Sequence, residues 1–120
     1  MPRSSVKASS TNQFNKKQAL DRCPITVALE KIGGRWKPII LYYLTKGPHR
    51  YTELRKTVAL ASEKMLIQHL KELESDGLII KTVYQEMPPH VEYSLSDAGQ
   101  RITSVLLSMA DWSIENGWKQ

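Results

Sequence analysis

Lys64, Gln68 and Lys71 recur at spacings of four and three within "SEKMLIQHLKELESDG", Ser62 to Gly77. On a helix turning by about 100° per residue they share one side with Ser75, and Ile67 lies beside them. Leu66, Leu70 and Leu73 fall within a narrow arc on the other side, with His69 next to them. The outer side chains suit a base edge or a phosphate. A Gln amide can bond adenine bidentately, a Lys ammonium can reach guanine acceptors, and an Ile can touch a thymine methyl. Ser62 and the free N–H groups of the first turn can hold an anion. The plainer reading is a solvated outer face, and for an arbitrary helix it is the better one.

Other residues offer related chemistry. Arg50, Thr52, Arg55 and Lys56 lie just upstream, where they suit phosphate contacts or ordinary surface charge equally. Gln85 and His90 flank Pro88-Pro89, and a His near neutral pH carries partial charge. Cys23 precedes Pro24 at a helix start, where the dipole and Arg22 favour the thiolate; the alternative is a small packing residue. His49, His69 and His90 show no ligand spacing with Cys23, so no metal or other cofactor is expected. "SSVK", Ser4 to Lys7, matches a catalytic S-x-x-K by letters alone and lacks partner motifs. The chain does not read as an enzyme.

The elements that must position these groups follow from periodicity. Residues 1–20 are polar and basic and read as a flexible tail, leaving 21–120 as one domain. "CPITVALEKIGG" is a helix with Pro24 in its first turn and an apolar stripe of Ile25, Ala28, Leu29 and Ile32. "RWKPIILYYLTKGP" is a second, beginning near Trp36 or Lys37 because Pro38 fits only near a helix start. "HRY" is short and extended. "TELRKTV" is a brief helix capped by Thr52, with Leu54 and Val58 inward.

The Ser62 helix comes next, ending at Gly77. The period then changes to two in "LIIKTVY" and "VEYSL", and Pro88-Pro89 forces a hairpin tip between them. Ser96 caps a last long helix whose apolar positions are Ile102, Val105, Leu106, Met109 and Trp112. Trp36, Tyr42, Tyr43 and Trp112 suit a core or an interface between copies better than base stacking.

This order is α+β, mainly helical: a winged helix-turn-helix with N- and C-terminal dimerisation helices. In that arrangement helix 62–76 enters a major groove and the wing, 84–92, lies on the backbone. The broad apolar arc of the last helix predicts a two-fold homodimer involving Ile25, Leu29, Ile102, Val105, Leu106, Met109 and Trp112.

Charge agrees with that reading. The chain is 120 residues long with a net charge of +5. Lys31, Arg35, Lys37, Lys46, Arg50, Arg55 and Lys56 face only Glu53 in their stretch, whereas residues 57–100 are net acidic. A polyanionic partner, double-stranded DNA, fits this basic field. No apolar run approaches the roughly 18 residues of a membrane span, and the N-terminus lacks a secretory h-region. A single cysteine cannot form an internal disulfide, which favours a reducing cytoplasm.

The segments "CPITVALEKIGGRWKPIIL", "GPHRYTELRK", "SEKMLIQHLKELESDGLI" and "YQEMPPHVEYSLSDAG" resemble, in order and spacing, HxlR-type regulators of the MarR-like group. The resemblance runs from Cys23 to about Trp118. It implies a dimeric bacterial DNA-binding regulator of transcription. In some members a cysteine near the N-terminus senses oxidants or electrophiles, which would make Cys23 the sensor. A protein-interaction module without an operator, and a regulator gated by a small apolar effector at the dimer helices, are the alternatives. The sequence differs from the family pattern in three places. "VALAS", Val58 to Ser62, stands where a Pro-Gly turn is usual, Ile67 where Thr is frequent, and His90 where a basic residue often follows Pro-Pro.

Overall fold

The computed structural model describes residues 22–118, so the tail expected over residues 1–20 lies outside the described residues. Among the described residues there are five helices and three strands: α1 Pro24–Ile32, α2 Lys37–Leu44, β1 His49–Arg50, α3 Tyr51–Thr57, α4 Glu63–Ser75, β2 Ile79–Tyr84, β3 His90–Leu95 and α5 Asp97–Glu115. This is the mainly helical α+β winged helix-turn-helix expected from the sequence.

The described residues divide into two units, one ending at Lys31 and the other beginning at Ile32. In the first, the Cys23 carbonyl accepts the Val27 N–H at 2.9 Å, which opens α1 with Pro24 as its first residue. Arg22 pairs with Glu30 at 3.3 Å, and Ile25 and Leu29 are exposed.

In the second unit the core is built from Ile40, Leu41 and Leu44 of α2, Leu54 of α3, Leu66, Leu70 and Leu73 of α4, Ile79 of β2 and Tyr93 of β3. Helix α2 begins at Lys37 because Pro38 lacks the N–H that a helix interior needs and a first turn does not. The sheet is antiparallel in the order β1-β3-β2, with Ile79 opposite Leu95 and Tyr84 opposite His90. The hairpin tip falls at residues 85–89, where Pro88-Pro89 ends the ladder.

The start of α3 differs from expectation. Helix α3 begins at Tyr51, so Arg50 rather than Thr52 is its N-cap. The cause is Glu53, whose carboxylate accepts the Arg50 backbone N–H at 2.7 Å and closes the first turn ahead of Thr52. Pairing of His49 and Arg50 with β3 holds the backbone extended up to that point.

Helix α5 is attached closely at its start. Ser96 Oγ accepts the Gly99 N–H at 3.0 Å and donates to the Gly77 carbonyl at 2.6 Å. The Ser96 N–H donates to the Leu78 carbonyl at 3.1 Å. A Cβ on Gly99 would lie 2.0 Å from that same oxygen, so this close approach requires glycine. Further along, Ile102 and Leu106 pack on the core while Val105, Met109 and Trp112 are exposed. The predicted stripe therefore splits into an inward and an outward part.

Candidate nucleic-acid interface

Helix α4 is fixed by both its ends and its buried face. Ser62 Oγ accepts the Met65 N–H at 3.1 Å, as an N-cap should. Gly77 takes φ +75°, the left-handed conformation that ends helices and that side chains disfavour. Leu66, Leu70 and Leu73 are 0%, 1% and 0% exposed, and burial stabilises each by about 1.5–3 kcal/mol. That is enough to set the rotation of the helix. Lys64, Ile67, Gln68 and Lys71 are consequently turned outward and exposed. Met65, which sequence reasoning did not select, is also 41% exposed there.

The turn between α3 and α4 is tied from both sides. The Tyr51 hydroxyl donates to Glu63 Oε2 at 3.3 Å, and Arg55 Nη1 donates to the Ala61 carbonyl at 3.4 Å. Desolvation and the Glu63 carboxylate raise the Tyr51 pKa, so the phenol remains a donor at neutral pH. These contacts hold the turn at "VALAS" from α3 on one side and from the first turn of α4 on the other. Arg55 is half-buried here, whereas Lys56 is exposed on α3.

Between α4 and the hairpin lies a concavity of about 410 Å³. Its lining includes Arg50 and Thr52 from the start of α3, Ile67 from α4, Lys81 from β2, and Pro89 and His90 from the hairpin. Four residues selected from sequence, Arg50, Thr52, Ile67 and His90, are thus brought together. Ser62, Lys64, Gln68 and Lys71 lie along α4 outside it. Lys81 was missed, because it became a neighbour only through the register that sets it opposite Tyr93. Glu63 also lines this space, so its field is mixed rather than uniformly positive.

The wing has its own internal order. The Tyr84 and His90 rings stack across the hairpin, with centroids 4.7 Å apart and planes 18° apart. The Tyr84 hydroxyl donates to Glu92 Oε1 at 3.3 Å, and the Glu92 charge raises the Tyr84 pKa. His90 is therefore half-buried against a neighbour rather than loose at a turn.

A buried cation lies behind α4. Lys37, counted from sequence as part of the basic field, has a side chain only 9% exposed and pairs with Glu72 Oε1 at 2.6 Å. Glu72 Oε2 accepts from Gln68 Nε2 at 2.7 Å. The hydrogen bond from Gln68, followed by that from Lys37, lowers the Glu72 pKa to about 2. Lys37 thus adds nothing to the outward field: its charge is spent on α4. His69 Nδ1, 3.9 Å from Glu72 Oε1, is buried and has no hydrogen-bond partner among the described residues.

Among the described residues no group of His, Cys, Asp or Glu could hold a metal ion, and no helix is long and apolar enough to cross a membrane. A capped helix turned outward by its leucines, preceded by a short helix and followed by a two-stranded wing, defines a DNA-binding helix-turn-helix protein.

Comparison with known proteins makes the class specific. Residues 31–120 match the model of the HxlR-like helix-turn-helix family. The HTH-type transcriptional regulator YdeP of Bacillus subtilis is 46% identical over 90 residues, covering 75% of this chain and 70% of YdeP. YtfH of Escherichia coli, also an HTH-type transcriptional regulator, is 40% identical over 92 residues, covering 77% and 73%. The oxidized form of the redox regulator HypR superposes with a TM-score of 0.73 at 38% identity, covering 79% of this chain and 98% of HypR. Diamide-treated YodB of B. subtilis gives 0.69 at 34% identity, covering 78% and 94%. The chain belongs to the HxlR-like helix-turn-helix family, whose members are transcriptional regulators and not enzymes.

Proposed function

We propose that this regulator acts as a homodimer on duplex DNA, with α4 in the major groove and the hairpin on the adjacent backbone. The observation that carries the reading is the concavity between α4 and the wing. It gathers Arg50, Thr52 and His90 beside the exposed Ile67, with Lys81 on its wall. A phosphodiester strand passing there meets cations and a hydroxyl, while Lys64, Gln68 and Lys71 face base edges. Ser62 and the first-turn N–H groups, with Arg55 and Lys56, supply further backbone contacts.

Two copies of α4 related by a two-fold axis would read half-sites about one helical turn apart. Dimerisation through α5 is supported by its exposed Val105, Met109 and Trp112, and by an apolar groove of about 650 Å³ between α2 and α5 that Leu106 and Met109 line. Ile102 and Leu106, which also contact the core, would reach that interface only in part, and Ile25 and Leu29 of α1 offer further apolar surface.

The test is a duplex titration across salt. With six to ten phosphate contacts, affinity falls about 10³–10⁵-fold between 50 and 200 mM salt. Failure to form any complex at low salt would reassign the wing and α4 to a protein partner.

A thiol response is a finer part of the same proposal. Cys23, the only cysteine of the chain, is half-exposed at the start of α1, and the similar regulators HypR and YodB have been solved in oxidized or diamide-treated forms. Diamide should release DNA from the wild type and not from Cys23→Ser. Equal responses of the two would remove Cys23 from the account.

A further inference from the structure

Behind the outward face of α4, three side chains form a chain of contacts that starts in the interior and ends at that face. The Lys37 ammonium, 9% exposed, meets Glu72 Oε1 at 2.6 Å, and Glu72 Oε2 accepts from Gln68 Nε2 at 2.7 Å. Lys37 comes from α2, so the anchor belongs to a different element from the residue it controls.

The chemistry fixes which way the Gln68 amide points. An ionised carboxylate can only accept, so the amide nitrogen and not its oxygen must face Glu72. One N–H is then occupied. The carbonyl oxygen and the second N–H have no partner among the described residues. An acceptor and a donor side by side on one planar group match the N6–H donor and N7 acceptor of adenine in the major groove.

We infer that Lys37 and Glu72 are positioning residues for base readout, holding Gln68 so that it selects adenine at one position of each half-site. This rests on the placement of α4 in the major groove proposed above. Neither Lys37 nor Glu72 needs to touch DNA. An exposed Gln on an unsupported helix must be ordered when it binds a base, and that ordering costs affinity; here the order exists beforehand. Lys37 is buried and committed to Glu72, which explains why a basic residue sits where it cannot meet a phosphate.

The test is binding-site selection from random duplex by the full chain, followed by affinities for single-base variants of the selected site. The wild type should prefer adenine at one symmetric position by roughly tenfold or more, the discrimination of a bidentate contact. Gln68→Ala should lose that preference. The double variant Lys37→Met, Glu72→Ala leaves no buried unpaired charge and should lose most of the same preference while keeping the others. Lys37→Met, Glu72→Gln restores an acceptor for the Gln68 amide and should recover it. A structural role alone would lower affinity at every position equally.

Loss with Gln68→Ala but not with the alanine double variant overturns the positioning role and leaves α4 in the groove. A selected base other than adenine overturns the readout assigned to Gln68. If Gln68→Ala, Lys64→Ala and Ile67→Ala all select the wild-type site, the groove placement itself falls. Should the alanine double variant not fold, Lys37→Met alone, read at the same position, decides the point: an unchanged preference counts against Lys37.

Discussion

Replacing Gly99 by Ala tests the close approach of α5 to the backbone between α4 and β2. A Cβ there would stand 2.0 Å from the Leu78 carbonyl oxygen, 3.1 Å from its carbon and 3.2 Å from Leu95 Cδ2. Normal C···O approach is about 3.3 Å, so α5 must move by roughly 1.3 Å at its first turn. The obstacle is backbone at the junction of α4 and β2, so no side-chain rotation relieves it. The displacement also strains the Ser96 N–H bond to Leu78 and the Ser96 hydroxyl bond to Gly77, 3.1 and 2.6 Å long. Overpacking costs about 1–3 kcal/mol, and weakening two hydrogen bonds adds about 1 kcal/mol. The greater helix propensity of Ala returns about 1 kcal/mol. The net is a loss of about 1–3 kcal/mol, or about 5–15 °C in Tm for a domain of this size. Urea unfolding at one fixed protein concentration reads it, since dimer stability depends on concentration. Ser104→Ala, on the exposed side of the same helix, is the control and should be near neutral. An unchanged or raised midpoint for Gly99→Ala would refute the claim that this contact fixes α5.

Three other outcomes follow from particular contacts. Ser62→Ala removes the acceptor for the Met65 N–H and should cost about 1 kcal/mol in urea unfolding. Glu72 has a folded pKa of about 2, below its unfolded value near 4.3, so its contribution is present above about pH 4.3 and lost as pH falls towards 2. Acid unfolding of Lys37→Met, Glu72→Gln should therefore be less steep across that window than that of the wild type. Arg50→Ala and Lys81→Ala, both on the wall of the concavity, should each reduce the log–log salt slope by about 1 without changing the preferred sequence.

Much of the fold was legible because its signals are local. Leu66, Leu70 and Leu73 state the helical period and the buried side together, and Ser62 and Gly77 mark the ends of α4 with groups that satisfy its terminal N–H groups and permit positive φ. Pro88-Pro89 locates the hairpin tip for the same kind of reason. What escaped depends on contacts between elements. Lys37 looked like surface charge because nothing near it in sequence announces Glu72, which only folding brings to 2.6 Å. Gly99 looked like an ordinary helical residue until α5 was seated on Leu78. Lys81 joined the concavity through strand register, and the cap of α3 moved to Arg50 because Glu53 reaches back to its N–H. The expected stripe of α5 mixed two jobs: Ile102 and Leu106 face the core of their own chain, while Val105, Met109 and Trp112 face away.

The central claim is that the outward face of α4, defined by the burial of its leucines, reads DNA sequence. The double variant Lys64→Ala, Gln68→Ala addresses it most directly, with affinity measured for the selected site and for unrelated duplex at one salt concentration. Two lost base contacts should lower the ratio of specific to non-specific affinity by roughly a hundredfold, with only a modest fall in Tm, because Lys64 is exposed and Gln68 gives up one hydrogen bond, to Glu72, worth about 1 kcal/mol. An unaltered ratio in a folded double variant would contradict the account and move recognition to another surface of the protein.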